Sequence, residues 1–390
     1  GGFENICDAA DILDGKYIGS DEFSLSVYPA SQPIYMELIK NGSIAKLMQT
    51  GATVRTAFCG PCFGAGDVPA NNGLSIRHST RNFPNREGSK ITNGQIASVA
   101  LMDARSIAAT AANKGYLTSA QNIDLNFSKP KYFFDGSIYK NRCYFGYGKA
   151  DPSVDIKFGP NIVDWPQMSA LTDNLMLKVV SVIHDPVTTT DELIPSGETS
   201  SYRSNPLGLA EFTLSRKDPA YVGKAKEVQK AEKARLAGNY ADESLADYNA
   251  VAGELKNKFG ADLTNTGIGS VIYAVKPGDG SAREQAASCQ KVLGGWANIA
   301  HEYATKRYRS NLINWGMLPF IFEEEIPFDK DDYIFIPGVA DAVRNKVSQL
   351  DAYIIGKDFK KFTLKLGELT DDERKIILRG CLINYYKDEQ

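Results

Sequence analysis

Cys59 and Cys62 stand three positions apart in Ala57-Phe58-Cys59-Gly60-Pro61-Cys62-Phe63-Gly64-Ala65-Gly66, and Arg81 and Arg86 follow, five positions apart. Two thiolates at the cysteine spacing share a metal ion or a cluster, or exchange with each other as a disulfide. The glycines let the backbone approach a bound group, because no Cβ intervenes. Paired arginines suit planar carboxylates, which a guanidinium grips in bidentate fashion. Taken locally, the two cysteines fit a redox pair, metal or cluster ligands, or inert buried thiols. A thioredoxin-type pair expects a helix to start at its first cysteine, and here a glycine-rich turn follows instead.

A second group lies in Pro277-Gly278-Asp279-Gly280-Ser281-Ala282-Arg283-Glu284. A strand over Ser270 to Val275 precedes it, and a helix running to about Leu293 follows. Strand, glycine turn and helix start make an anion site, since free N–H groups and the helix dipole point at the turn. The same residues have a plainer reading, because Ser-Ala-Arg-Glu is itself a capping box that would occupy the Ser281 hydroxyl. Cys7, Cys143, Cys289 and Cys381 sit in apolar or helical surroundings and read as core residues. His78, His184 and His301 lack metal-ligand spacing and read as structural.

The elements that must position these groups alternate. Phe3 to Leu13 is predicted helical, with Gly15 as its stop. Phe23 to Tyr28 alternates like a strand, and two short helices follow over Gln32 to Lys40 and Ser43 to Thr50. Thr53 to Ala57 is a strand that runs into Cys59, so the cysteines fall at a strand's C-terminal end, where α/β folds place their sites. Asn93 to Ala112 reads as one long helix of small residues, closed by Gly115. From Asp151 to Ala170 the prolines break every period, as in an extended linker. Leu175 to His184 is a buried strand opening a second domain, and the residues from Tyr221 to Phe259 read as two solvated helices around Gly238-Asn239. Beyond Trp296 to Tyr303, strands are expected at Tyr333 to Ile336, Ala352 to Ile355 and Phe362 to Leu366, and a helix over Val339 to Leu350. A last helix starts at the Thr370–Glu373 capping box.

With 390 residues the chain has room for two domains with full cores. Its 43% hydrophobic and 23% charged residues are those of an ordinary soluble protein. A net charge of -3 gives no electrostatic case for nucleic acid. No apolar stretch reaches transmembrane length, no signal peptide opens the sequence, and six scattered cysteines favour a reducing, cytoplasmic compartment. The opening Gly1-Gly2-Phe3 has no initiator methionine, which leads us to expect a fragment.

Together these motifs resemble the aconitase family of iron–sulfur hydro-lyases, over nearly the whole chain. Gly51 to Gly64 is similar to the family's cysteine signature, which implies Cys59 and Cys62 as two of three ligands of a [4Fe–4S] cluster. Thr80-Arg81-Asn82-Phe83 with Arg86 resembles its substrate-arginine segment, and Arg203, after Asp191, falls where the family keeps another. Gly280 to Glu284 resembles a Gly-Ser-Ser-Arg-Glu turn, which implies Ser281 as catalytic base and Arg283 as its stabilising neighbour; Asn311 to Phe320 resembles a segment ending Gly-Leu-Leu-Pro. The resemblance implies a three-layer α/β/α domain over residues 1–150, a linker over 151–171 and a swivel domain over 172–390. It implies dehydration and rehydration of a tricarboxylic or related hydroxy acid, with a small-molecule partner and no membrane. Three departures stand out: Ala282 replaces a second serine, Thr80 an asparagine and Gln285 a histidine. The third cluster cysteine is expected upstream of Gly1, in a missing N-terminal half, because Cys7 has the wrong spacing. A fragment of this kind is expected to be inactive alone. Other classes implied are an RNA-binding or inactive relative of the family, or a Cys-Gly-Pro-Cys thiol redox protein.

Overall fold

The computed structural model describes residues 1–58, 66–79, 94–195, 197, 199–356 and 358–387. The chain divides into two compact units, Gly1–Val154 and Asp155–Gln390.

In the first unit, α1 (Phe3–Leu13) buries Phe3, Ile6, Cys7, Ala10 and Leu13, positions three and four apart that line one helical face. That face packs on α2 (Gln32–Lys40), α3 (Ser43–Gln49) and α4 (Ala104–Ala112). α2 begins where the Ser31 hydroxyl accepts from the Ile34 N–H at 3.4 Å, with Pro33 in its first turn, where the missing N–H costs nothing. β1 (Ser26–Val27) pairs in parallel with β2 (Thr53–Val54), and β3 (Leu74–Arg77) with β4 (Ser98–Leu101). The strands expected over Phe23 to Tyr28 and Thr53 to Ala57 are thus two residues each.

One expectation is corrected outright. Asn93 to Ala112 is not a single helix: Ser98–Leu101 is β4, and the Asp103 side chain then caps α4 by accepting from Ser106 N–H at 3.0 Å. Pairing with β3 outweighs the helix propensity of the alanines around it. Cys143 is also misread as core. It is exposed at the end of α5 (Ser137–Arg142), because its aromatic neighbours Tyr144 and Phe145 are themselves exposed.

The second unit is built on a closed seven-stranded barrel. Four of its strands run parallel: β5 (Asn174–Ile183), β7 (Thr266–Ala274), β9 (Gly295–Ala300) and β10 (Leu318–Ile321). β11 (Tyr333–Ile336), β12 (Gln349–Ile355) and β13 (Lys360–Lys365) close the ring with antiparallel ladders. Alternation decides the two faces. Leu175, Leu177 and Val179 fill one cluster with Ile334, Ile336, Leu318 and Phe320, while Met176, Val180 and Phe335 belong to another with the helices. Both faces of β5 are therefore covered, which is why it reads as a continuous apolar run.

Between β5 and β7 come β6 (Thr188–Thr189), α6 (Thr190–Leu193), α7 (Pro206–Ala210), α8 (Tyr221–Leu236) and α9 (Ala246–Phe259). α8 is more than the solvated helix expected. It packs on β7 and buries Glu232 and Arg235, whose bidentate pair (2.7 and 2.8 Å) also takes the Ile268 N–H at 2.8 Å. β8 (Pro277–Asp279), α10 (Arg283–Val292) and α11 (Lys306–Asn314) surround the end of β7. α12 covers Val339–Arg344 only, because the strand β12 starts at Gln349. α13 (Asp371–Arg379) forms the expected capping box, with both the Thr370 and Glu373 bonds made, and α14 (Leu382–Lys387) follows.

Candidate functional site

β5, β7 and β9 run in one direction, so the chain leaves all three at the same end of the barrel. The crossings there carry the polar residues. After β5 the chain forms β6, after β7 it forms β8, and these two short strands pair in parallel, Thr188 against Pro277 and Thr189 against Asp279. The start of α6 is thereby set beside the turn Gly280–Ala282, from which α10 springs.

That turn is shaped by two glycines that nothing larger could replace. Gly278 has φ +98°, and a Cβ there would stand 2.3 Å from the Tyr308 ring; Gly280 has φ +127°, and its Cβ would stand 2.2 Å from Thr190 Oγ1. Both lie in the left-handed region that other residues avoid. Thr305 donates its hydroxyl to Gly278 O at 3.3 Å, and Ala304 N–H donates to Pro277 O at 3.0 Å. Beneath the turn, Tyr308 is completely buried and its hydroxyl donates to Asn298 Oδ1 at 2.8 Å. Gln290 Nε2 donates to the Tyr308 hydroxyl at 3.0 Å, and Asn298 Nδ2 donates to Gln290 Oε1 at 2.7 Å. Burial raises the Tyr308 phenol far above its usual range, so it stays a neutral donor. This closed ring of bonds locks α10, α11 and β9 together. No periodicity or motif in the sequence marks Gln290, Asn298 or Tyr308 for it.

Ser281 is exposed on this turn, and Arg283, half-buried, is the first residue of α10. The capping box suggested by the sequence would make Ser281 the N-cap, but α10 starts one residue later. The N-cap is Ala282, whose own side chain makes no cap bond, and the Glu284 carboxylate accepts from Trp315 Nε1–H at 3.0 Å. Arg203 is exposed just before α7, and α7 packs on α10, so its segment lies beside the helix that Arg283 opens. Asp191, the second residue of α6, pairs with Arg216 at 2.7 Å.

Cys59, Cys62, Arg81 and Arg86 lie outside the described residues. The flanks of the cysteine segment are described. Tyr28 donates its hydroxyl to Asp67, Arg55 also reaches Asp67 at 3.3 Å, and the Tyr28 and Phe58 ring centroids are 5.5 Å apart. One tyrosine thus contacts Phe58, the last described residue before the segment, and Asp67, the second described residue after it. Gly66, at φ +121°, comes within 3.3 Å of the Tyr28 hydroxyl, measured from where its Cβ would be. Burial, and the hydrogen bond to Asp67, push the Tyr28 pKa up to about 12. By their chemistry, two cysteines three positions apart in a glycine-rich sequence fit a two-thiolate share of a cluster. The described cysteines are committed elsewhere. The Cys7 sulfur receives Asn41 and Ser43 at 3.5 and 3.7 Å and its pKa is raised by burial, while burial pushes Cys289 up to about 12. Among the described residues no three His, Cys, Asp or Glu side chains gather as metal ligands.

In the second unit a glycine turn with a serine and an arginine beside it lies at the C-terminal ends of parallel strands, where α/β proteins place their ligand sites. Residues 1–109 match the family model described as Aconitase family (aconitate hydratase), and residues 243–325 the model described as Aconitase C-terminal domain. Both matched stretches are thus similar to the aconitase family. A 3-isopropylmalate dehydratase large subunit from Caldanaerobacter subterraneus subsp. tengcongensis is 35% identical over 114 residues, 29% of this chain and 26% of that protein. A methanogen homoaconitase large subunit from Methanocaldococcus jannaschii is 33% identical over 120 residues, covering 30% and 27%. A homoaconitase large subunit from Thermus thermophilus is 32% identical over 125 residues, covering 32% and 28%. The chain thus spans about a quarter of the length of the curated relatives it matches. A crystal structure of a 3-isopropylmalate dehydratase from Methanocaldococcus jannaschii overlaps 55% of this chain and 95% of its own, at 24% identity and a TM-score of 0.36.

Proposed function

We propose that this chain carries one part of the active site of a hydro-lyase that removes and adds water across a carbon–carbon bond of a hydroxy acid bearing several carboxylates. The Gly280–Arg283 turn carries the proposal: it presents an exposed serine beside an arginine, on a backbone that only glycine can follow. Such a reaction takes a proton from the carbon next to a carboxylate while hydroxide leaves the adjacent carbon. Ser281 Oγ is the group that accepts that proton, and the positive charge of Arg283 lowers the cost of its alkoxide. Arg81, Arg86 and Arg203 hold the substrate carboxylates and set its orientation. Cys59 and Cys62 hold a [4Fe–4S] cluster, which when bound supplies Lewis-acid assistance to the departing hydroxyl.

Relatives with this domain are named for isopropylmalate and homoaconitate chemistry, and we place the substrate in that class of branched or extended hydroxy acids. Ala282 offers no hydroxyl to the substrate and leaves room for an apolar substituent, a difference typically of about 1–3 kcal/mol per group. The third cluster ligand and the remaining proton-transfer groups are assigned to polypeptide outside these 390 residues. Because the serine turn and the cysteine segment share one chain, no separate subunit is needed to supply the serine.

The test is anaerobic reconstitution with iron and sulfide of the gene product that contains this chain, followed by its visible spectrum and by hydration of unsaturated di- and tricarboxylic acids. Cluster absorbance is expected to vanish in Cys59→Ser and Cys62→Ser. In Ser281→Ala the absorbance should stay while turnover falls about 10²–10⁴-fold, the usual worth of a general base. A gene product that takes up no iron, or a Ser281→Ala enzyme with full turnover, overturns the proposal.

A further inference from the structure

We infer that Thr190 is the positioning residue for Ser281, an inference that rests on the hydro-lyase reading for its consequence in turnover but not for its geometry. Ser281 is held between neighbours that both rest on one oxygen atom. The N–H of Ala282, the residue after it, donates to Thr190 Oγ1 at 3.3 Å. Gly280, the residue before it, comes so close to the same oxygen that a Cβ would stand 2.2 Å away.

The hydroxyl is itself fixed. Thr190 is 3% exposed and opens α6. The Thr189 side chain accepts from Glu192 N–H at 3.2 Å, the Glu192 carboxylate takes Thr189 N–H at 2.7 Å, and Leu214 N–H donates to Leu193 O at 2.8 Å. The N-cap of α10, Ala282, has no side-chain cap bond, and the Thr190 oxygen takes the N–H of that residue, one of the backbone donors that a helix start leaves over. The turn that bears Ser281 is thereby referenced to α6 across the β6–β8 pair. A proton acceptor misplaced by even about 1 Å loses rate steeply, which gives this bond a catalytic consequence although Thr190 does not touch the reacting atoms.

The experiment compares wild type, Thr190→Val, Thr190→Ala and Thr190→Ser, all as the full chain. Thr190→Val keeps the shape and removes the acceptor, Thr190→Ala removes it without any possible clash, and Thr190→Ser restores it. By site-resolved amide hydrogen exchange, Ala282 is expected to exchange about fivefold faster in the valine and alanine variants, the worth of one hydrogen bond. The serine variant should match wild type, and the β7 amides should be unmoved in all four. Unchanged exchange at Ala282 in both variants that lack the oxygen overturns the inference. In the iron-loaded gene product the valine variant is expected to lose about tenfold to a hundredfold in kcat with KM nearly constant, and serine to rescue it. A raised KM with kcat intact would instead make Thr190 a substrate-holding residue and overturn the positioning role. If wild type turns over no acid at all, the hydro-lyase reading fails, and the exchange result alone decides the role of Thr190.

Discussion

Lys291 on α10 is 5% exposed, and its Nζ has no hydrogen-bond partner among the described residues. The nitrogen lies 3.5 Å from the centroid of the Trp296 ring. Burial pulls its pKa down to about 7 from the ordinary 10.5, against smaller upward pulls from Cys381 and Glu232. One pKa unit corresponds to about 1.4 kcal/mol, so protonating this amine in the folded chain at pH 7 or below costs about 5 kcal/mol relative to the unfolded chain. The folded pKa is the lower one, so between pH 7 and 10.5 the unfolded state binds more protons. Stability on this account rises with pH through that window and is level below it. Lys291→Met keeps the length of the side chain, sets sulfur against the indole and removes the charge. It is expected to gain about 1–4 kcal/mol at pH 7, the range seen when buried charges give way to packed apolar groups. The gain should shrink by about 3 kcal/mol between pH 7 and pH 9.5. Urea unfolding of both full chains at the two pH values, followed by fluorescence and circular dichroism, measures the difference directly. A methionine variant less stable than wild type at both pH values, or a gap that does not change with pH, would refute the reasoning.

Three further perturbations test the scaffold. Glu232→Gln breaks the bidentate pair that ties α8 to β7 and leaves Arg235 charged and buried; a loss of about 3–5 kcal/mol in urea midpoint analysis is expected, and a loss under 1 kcal/mol would show the pair to be idle. Gly278→Ala puts a methyl 2.3 Å from the Tyr308 ring at φ +98°, and thermal unfolding should show a cost of about 3 kcal/mol or more. Tyr28→Phe removes the hydroxyl that Asp67 accepts. It is expected to leave the helical circular dichroism unchanged while the reconstituted gene product releases iron to a chelator faster, and equal release rates would mean the tyrosine does not hold the base of the cysteine segment.

Much of the fold was legible because its causes are local. α1, α2 and α3 were visible from apolar spacing and stop signals, α13 from its capping box, and β5 from an apolar run that only a strand covered on both faces keeps. The aconitase resemblance rested likewise on short ordered strings; the family matches over residues 1–109 and 243–325 include the cysteine, Arg81–Arg86, Ser281 and Asn311–Phe320 strings but not Asp191–Arg203. Where the reading failed, the deciding partner was far away in sequence. Ser98–Leu101 is a strand because Leu74–Arg77 lies alongside it. Glu284 takes the indole N–H of Trp315, which arrives from the end of α11, and Lys291 looks like any charged helix residue until α10 packs onto the barrel.

Residue identity and short-range spacing determined which groups could do chemistry, Cys59 and Cys62, the arginines, and Ser281 with Arg283, and which stretches would be helix or strand. Tertiary structure alone decided that the oxygen of Thr190 lies against both neighbours of Ser281, that Tyr28 joins Phe58 to Asp67, and that a lysine is buried on an indole. The first two depend on contacts between residues separated by dozens of positions, and the third on burial of a lysine whose indole is near in sequence; no local period carries the packing that brings them together.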